Sequence, residues 1–125
     1  MHEMSIALGV VDIAEKAFRE SGASRIESIT LQIGALAGVR LESLYFVWPS
    51  AVAGTALEGA DRIIESTDGQ AVCLECEQPF ALKHHFDACP HCNSYFKKIT
   101  AGKELNVKSL AFIVDESPQP APSNN

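Results

Sequence analysis

The chain has 125 residues, a hydrophobic fraction of 46% and a charged fraction of 21%, the proportions of an ordinary globular protein. This length allows one small domain or two very small ones. The formal net charge of −6 is opposite in sign to the basic surface that a nucleic-acid-binding protein carries. No apolar run approaches the length of a transmembrane helix, and no basic segment of a signal peptide is present. We therefore expect a cytoplasmic protein that binds neither nucleic acid nor membrane.

The first half of the chain shows a helix, a strand and a second helix. Apolar residues at i, i+3, i+4 spacing predict an amphipathic helix over residues 4–21. Alternation of apolar and polar residues predicts a half-buried strand over residues 25–34. A second helix is predicted over residues 42–53, and Pro49 inside it should cause a kink or an early stop.

Two further strands flank a cysteine-rich segment. One is predicted over residues 60–67, and an apolar, β-rich run predicts the last over residues 105–114. Because the last strand needs a partner, we expect it to return to the first sheet. The predicted fold class is α+β: a small, mainly antiparallel three-stranded sheet with two helices on one face and an inserted four-cysteine zinc ribbon.

This arrangement predicts a discontinuous domain with an insertion. The predicted parts are an α+β domain of residues 1–69 with 101–114, a zinc-ribbon domain of residues 70–100, and a disordered tail of residues 115–125. The tail holds three prolines and no large apolar residue, which is typical of disorder.

All four cysteines of the chain form two C-x-x-C pairs, Cys73 with Cys76 and Cys89 with Cys92, separated by twelve residues. The doubled spacing predicts a closed tetrahedral zinc site with four thiolate ligands. Iron is the main competing metal; two disulfides or a dithiol redox pair are the alternatives without a structural metal. Large apolar residues are few in residues 70–100, so metal binding should supply most of the folding free energy there.

The N-terminus offers a different kind of metal site. The α-amine of Met1, the backbone nitrogen of His2 and its imidazole can close fused chelate rings on one ion. The Glu3 amide can complete the plane, or the Glu3 carboxylate can bind axially. A planar, nitrogen-rich ligand set suits Ni(II) or Cu(II) and suits Zn(II) poorly.

Several segments in order carry a resemblance to a known family. They are MHEMS at residues 1–5, LQIGALAGV at 31–39, AGT at 53–55, EGA at 58–60, the two C-x-x-C pairs, and KSL at 108–110. Together they resemble the HypA/HybF family of nickel-insertion proteins for hydrogenase maturation. The resemblance covers residues 1 to about 114.

The resemblance implies a cytoplasmic nickel metallochaperone and not an enzyme. Its implied role is to help deliver Ni²⁺ to the precursor of the NiFe-hydrogenase large subunit. It implies His2 as the essential nickel ligand, with the Met1 amine and Glu3 beside it, and the four cysteines as ligands of a structural Zn²⁺. The implied partners are the GTPase HypB and the large-subunit precursor, and a weak homodimer is a further option.

Two positions depart from the family pattern. Arg40 stands where the family usually has an acidic residue, so Glu42 becomes the candidate for a further nickel ligand from this loop. Pro49 is also unusual for the family and could alter a partner surface.

Three histidines lie close to the second cysteine pair. We interpret His84, His85 and His91 as exposed residues of the ribbon, with a secondary or pH-dependent metal role as the alternative.

Two other classes of function compete with a metallochaperone. A zinc-ribbon adaptor for protein or nucleic-acid binding would leave His2 without a role, and the acidic net charge disfavours its nucleic-acid form. A metal-dependent enzyme needs an open metal position and a positioned base. Four cysteines leave no such vacancy, so the sequence disfavours an enzyme.

Overall fold

The structure is a computed structural model that describes residues 2–115, in which two helices and six strands form. In chain order they are α1 (Glu3–Ser21), β1 (Arg25–Gly34), α2 (Leu41–Val52), β2 (Asp61–Thr67), β3 (Gly69–Cys73), β4 (Pro79–Leu82), β5 (Lys97–Ala101) and β6 (Leu105–Ile113). The five elements predicted outside the cysteine-rich segment are all present, with ends within one residue of the predicted bounds. Apart from Asp115, the predicted disordered tail lies outside the described residues. None of the described helices combines the length and the apolar character needed to cross a bilayer.

Helix α1 forms because its apolar residues fall on one face. The buried positions, Ala7, Val10, Val11 and Ala14, are spaced three and four residues apart. The helix ends at Ser21 because Gly22 takes a left-handed conformation (φ 72°), which glycine adopts at little cost.

Helix α2 continues past its proline. Pro49 removes the donor for the Tyr45 carbonyl, yet the helix ends only at Val52, and the Ala53 N–H bonds to the Pro49 carbonyl at 3.2 Å. The proline is exposed and close to the C-terminal end of the helix. One lost hydrogen bond therefore shortens the helix little.

The first sheet has the strand order β2-β1-β6. Strand β6 pairs antiparallel with β1, so the last strand returns to the first sheet as predicted. Strand β2 pairs parallel with β1. The reason is the connection: α2 lies between β1 and β2, and a helical crossover returns the chain in the same direction. The other three strand pairs of the molecule are antiparallel.

One core lies between this sheet and the helices. Buried residues of α1, α2 and β1 belong to one hydrophobic cluster, with Ile29, Leu31 and Ile33 contributed by alternate positions of β1. Thr30 and Gln32 alternate with them and are half-buried. Both helices therefore cover the same face of the sheet, which confirms the predicted α+β fold class.

The cysteine-rich segment forms a second sheet of order β4-β3-β5, all antiparallel. Its core is small and consists of Leu36, Ala71, Cys73, Phe80, Leu82 and Cys89. Two of these six residues are cysteines, so the ribbon buries few large apolar side chains. The division of the chain into independent domains stays a prediction.

Candidate metal centres

The four cysteines come together in one cluster, as the sequence predicted. Their sulfur atoms all lie within 4.8 Å of one another, and Cys73 and Cys89 are buried. The Sγ atoms of Cys73 and Cys92 are 3.5 Å apart, and those of Cys76 and Cys89 are 3.7 Å apart. A tetrahedron with metal–sulfur bonds of about 2.3 Å has edges of about 3.8 Å, so this cluster fits a four-thiolate metal site. All four cysteines are free thiols rather than disulfides.

The two C-x-x-C turns have the same backbone structure. In the first, the Cys73 N–H bonds to the Gln78 carbonyl at 3.0 Å, and the Glu77 N–H bonds to the Cys73 carbonyl at 3.0 Å. In the second, the equivalent bonds join Cys89 to Ser94 at 2.9 Å and Asn93 to Cys89 at 2.7 Å. Each turn therefore presents its two sulfurs in the same way, and the cluster is assembled from two matching halves.

Each turn also needs one left-handed residue directly after its second cysteine. Glu77 has φ 64° and Asn93 has φ 65°, the two non-glycine residues with positive φ among those described. Asparagine tolerates this conformation better than glutamate does. Glu77 holds it because hydrogen bonds of the turn fix the backbone on both sides.

The thiols do not ionise independently. Backbone N–H groups of Cys76 and Glu75 donate to the sulfur of Cys73 at 3.4 Å and lower the pKa of that thiol to about 6. The Ser94 N–H favours the thiolate of Cys92. The hydrogen bond between the Cys92 and Cys73 sulfurs, together with partial loss of water around Cys92, outweighs that effect and raises the pKa of Cys92 to about 12. Once one sulfur is charged, the next resists ionisation. A cation at the centre would remove that resistance, so the donor set favours a bound metal.

The N-terminal candidate site has a different geometry. His2 is exposed and extended (φ −82°, ψ 110°) directly before α1, and its side chain caps no helix N–H. Its carbonyl accepts a hydrogen bond from the Ile6 N–H at 3.2 Å. The amine of Met1, also a predicted ligand, lies outside the described residues.

Glu3 makes a contact that the sequence did not predict. Its Oε2 accepts a hydrogen bond from the backbone N–H of Arg40 at 2.9 Å. This bond is the main reason why the pKa of the Glu3 carboxyl is lower than usual. Arg40 thus meets Glu3 through its backbone N–H, which any residue but proline could supply.

The structure does not gather a side-chain ligand set at the N-terminus. Among residues 2–115, the four cysteines are the one group of three or more His, Cys, Asp or Glu side chains that could hold a metal ion. Glu42 is exposed in the first turn of α2. An N-terminal metal site would therefore depend on the imidazole of His2 and on main-chain nitrogens.

The three histidines of the ribbon are exposed, in agreement with their interpretation. His84 stacks on Phe86 with ring centroids 5.0 Å apart, and its Nδ1 lies 3.6 Å from Asp87 Oδ1. His85 differs, because its Nε2 is 2.8 Å from the carbonyl oxygen of Leu36 in the loop after β1. This contact joins residues 49 positions apart and has no sequence signal.

Fold and cysteine cluster together define a small α+β protein with an inserted four-cysteine, metal-binding ribbon. A family model described as "Hydrogenase/urease nickel incorporation, metallochaperone, hypA" matches residues 1–112. The chain therefore belongs to the HypA family of hydrogenase maturation factors and nickel metallochaperones, which are not enzymes.

Individual relatives agree with this assignment. Hydrogenase maturation factor HypA of Parabacteroides distasonis is 44% identical over 110 residues, which cover 88% of this chain and 96% of the relative. Its namesake from Alkalilimnicola ehrlichii is 40% identical over 110 residues, covering 88% and 97%.

Solved structures agree on the fold. The solution structure of the nickel metallochaperone HypA from Helicobacter pylori has a TM-score of 0.64 at 20% identity, covering 92% of this chain and all of the other. A second HypA solution structure has a TM-score of 0.66 at 22% identity and covers 92% and 98%.

Proposed function

We propose that this chain binds Ni(II) at its N-terminus through His2 and helps to deliver it to the precursor of the NiFe-hydrogenase large subunit. The observation that carries the proposal is the position of His2, exposed and extended at the start of α1 with its imidazole not used as a helix cap. An ion held at such a place is open to a second protein, and transfer by ligand exchange requires that access.

The start of α1 supplies main-chain nitrogens for this site. The first amides of a helix have no intrahelical acceptor, so the nitrogens of His2 and Glu3 are not needed by the helix ladder. The Met1 amine and the imidazole of His2 would complete a planar set that suits Ni(II). The positive end of the helix dipole opposes a cation, and the carboxylate of Glu3 in the first turn offsets it.

Glu3 has a positioning role in this proposal. Its carboxylate is engaged by the Arg40 N–H and so ties the start of α1 to the start of α2. That contact fixes the helix end from which His2 projects. We therefore propose that the main role of Glu3 is to orient the start of α1, and that axial binding of nickel is its secondary role.

The cysteine cluster is proposed to hold a structural Zn²⁺. Four sulfurs with tetrahedral spacing leave no open coordination position for cargo exchange or catalysis. Zinc would stabilise the ribbon, whose core is small. The ribbon and the discontinuous α+β domain would then be two units of one cytoplasmic chaperone that works with the GTPase HypB.

A second candidate function is supported by one feature of the ribbon. Leu74, Tyr95 and Phe96 each expose more than 60% of their surface, and the Leu74 N–H bonds to the Phe96 carbonyl at 2.9 Å. These exposed apolar side chains lie within four residues of a cysteine of the cluster in the sequence, which favours a protein-interaction adaptor. In that case nickel would not be the cargo.

Transfer of radioactive nickel tests the proposal against the adaptor. Untagged, zinc-loaded chain is charged with ⁶³Ni and mixed with purified large-subunit precursor and HypB, and the label on the precursor is counted. We expect transfer from the wild type, none from His2→Ala, and wild-type transfer from His84→Ala, which removes an exposed histidine elsewhere. Equal transfer from the wild type and His2→Ala would overturn the proposal.

A further inference from the structure

Arg62 of β2 is held in an unusual way for a surface arginine. Its guanidinium carbon lies 4.4 Å from the centroid of the Tyr45 ring and 5.5 Å from that of Trp48. The Nε atom is buried and has no hydrogen-bond partner among residues 2–115. Stacking on two rings fixes the plane of the guanidinium, so a ligand that binds it would cost little side-chain entropy.

The charge of Arg62 is not matched within the described part of the chain. Three ion pairs join described residues other than Asp115, namely Arg19–Glu15, His84–Asp87 and Lys108–Glu65, and none involves Arg62. Arg25 and Arg40 are not in these ion pairs either, so what distinguishes Arg62 is its contact with two aromatic rings and its buried Nε atom. A planar guanidinium binds a carboxylate through two parallel hydrogen bonds.

A highly exposed apolar side chain lies on the same helix as the two rings that contact Arg62. Phe46 is 84% exposed, the most exposed of the large apolar side chains described, and Tyr45 is 41% exposed. Both are on the second turn of α2, and the Tyr45 ring is the one closest to the guanidinium. Arginine, tyrosine and tryptophan are the residues that most often dominate the binding energy of protein interfaces.

The strand that carries Arg62 is also open on one side. Strand β2 stands at the edge of the first sheet and pairs only with β1 in the described structure. An edge strand presents unpaired main-chain groups to which an extended segment can add. The free edge and the stacked guanidinium of Arg62 thus lie on the same strand, and Tyr45, which contacts that guanidinium, is followed on α2 by the exposed Phe46.

We propose that Arg62, Tyr45, Phe46 and the free edge of β2 form a docking site for an extended protein segment with a carboxylate beside a large apolar side chain. The carboxylate binds the guanidinium of Arg62, and the apolar side chain packs on Phe46. This site, the α2–β2 site, is defined by these residues and does not require nickel.

The position of the α2–β2 site suits a recipient protein. Tyr45 follows Arg40 by five residues, a rise of about 7.5 Å along α2, and the Arg40 N–H binds Glu3 beside His2. A segment docked here would lie close to the start of α1. This last step rests on the proposed nickel role of His2, whereas the docking site itself does not.

An inward-pointing charge on an edge strand can also serve to prevent unwanted strand pairing. If Arg62 acted only in that way, its removal would promote self-association of the chain through β2. The exposed Phe46 would then have no partner to contact. The docking role predicts that Arg62 variants lose peptide binding, whereas the protective role predicts that they self-associate.

Peptide selection tests the docking site. A random phage-displayed peptide library is selected on the zinc-loaded full chain and depleted on the Arg62→Gln protein, and the enriched peptides are synthesised. We expect these peptides to contain Asp or Glu next to a large apolar residue and to bind the wild type at least about tenfold more tightly than Arg62→Gln. Exchange of the peptide carboxylate for its amide, or Phe46→Ser in the chain, should cause a similar loss.

Matched variants separate binding from charge and from folding. Lys98→Gln removes the same charge from β5 of the second sheet and should leave peptide affinity unchanged. Arg62→Lys keeps the cation without the planar fork and should also weaken binding, which provides a result if Arg62→Gln fails to fold. Nickel titration of the same variants should match the wild type, so a failure of this site and a failure of the nickel role give different results.

Two outcomes would overturn the proposal. One is that no enriched peptide distinguishes the wild type from Arg62→Gln, or that the peptides that do so lack a carboxylate. The other is self-association of the Arg62→Gln protein in light scattering without any loss of peptide binding, which would assign Arg62 to edge protection.

Discussion

Glu3 shows how a single carboxylate can organise the N-terminal region. It sits in the first turn of α1, and its Oε2 accepts the N–H of Arg40, the residue before α2. The starts of both helices are thereby joined by one charge-assisted hydrogen bond. The arrangement requires the ionised carboxylate, so it depends on pH.

The direction in which pH changes the strength of this contact can be predicted. Because the Arg40 N–H lowers the pKa of Glu3 below the usual 4.5, the bond stabilises the folded chain fully above that pH. The stabilisation is lost as the pH falls through the lowered pKa. In an NMR titration, the Arg40 amide proton should shift with a midpoint below 4.5, and Glu3→Gln should abolish the shift. A midpoint at or above 4.5 would contradict the role given to this contact.

Contacts of this kind explain why individual side chains were harder to predict than elements. The partners Glu3 and Arg40 are 37 residues apart, and His85 and Leu36 are 49 apart. In both pairs one partner is a main-chain group, which leaves no trace in the residue pattern. The cysteine cluster was predictable because ligand spacing within one turn is a local property.

For the helices and strands, hydrophobic periodicity was sufficient to predict that each element forms and where it begins and ends. The apolar face of α1 and the alternation in β1 are local patterns, and both elements form where they were predicted. The direction of β2 is not a local property. Its parallel pairing follows from the crossover through α2, which the residue pattern of β2 does not encode.

We expect the ribbon to depend on a bound metal more than any other part of the chain does. Its buried core is six residues, two of them cysteines, whereas the helix-covered sheet has a core of thirteen. Chelation of the metal should therefore unfold β3, β4 and β5 and leave α1 and β1 folded. Hydrogen exchange should show protection lost in residues 70–100 and retained in residues 7–14 and 26–33. Uniform loss of protection across both regions would contradict a separately stabilised ribbon.

At the scale of the molecule, the two sheets meet at a junction built of glycines. A Cβ on Gly34 would overlap the carbonyl oxygen of Gly102 and lie 2.6 Å from Glu104 Oε1, while one on Gly69 would lie 2.6 Å from the Leu82 carbonyl oxygen. The Leu36 N–H bonds to the Gly102 carbonyl at 2.7 Å across the same place. Close approach of these backbones joins the ribbon to the first sheet.

Alanine substitution tests this junction. Gly34→Ala forces two backbones apart and should destabilise the zinc-loaded chain by about 1–3 kcal/mol, a cost typical of overpacking. Gly9→Ala is the matched control, because its Cβ meets nothing within 4 Å in helix α1. It should stabilise the chain by up to about 1 kcal/mol. Urea unfolding of both variants gives the two free energies, and a Gly34→Ala protein as stable as the wild type would disprove close packing at the junction.

We expect the exposed N-terminal histidine to hold the nickel cargo and the cysteines to hold a different, structural metal. Calorimetric titration of Ni(II) into untagged, zinc-loaded chain, wild type beside His2→Ala, tests it most directly. We expect one equivalent of Ni(II) bound by the wild type, none by His2→Ala, and full zinc content in both. Equal nickel binding by the two proteins would contradict it and would favour the zinc-ribbon adaptor.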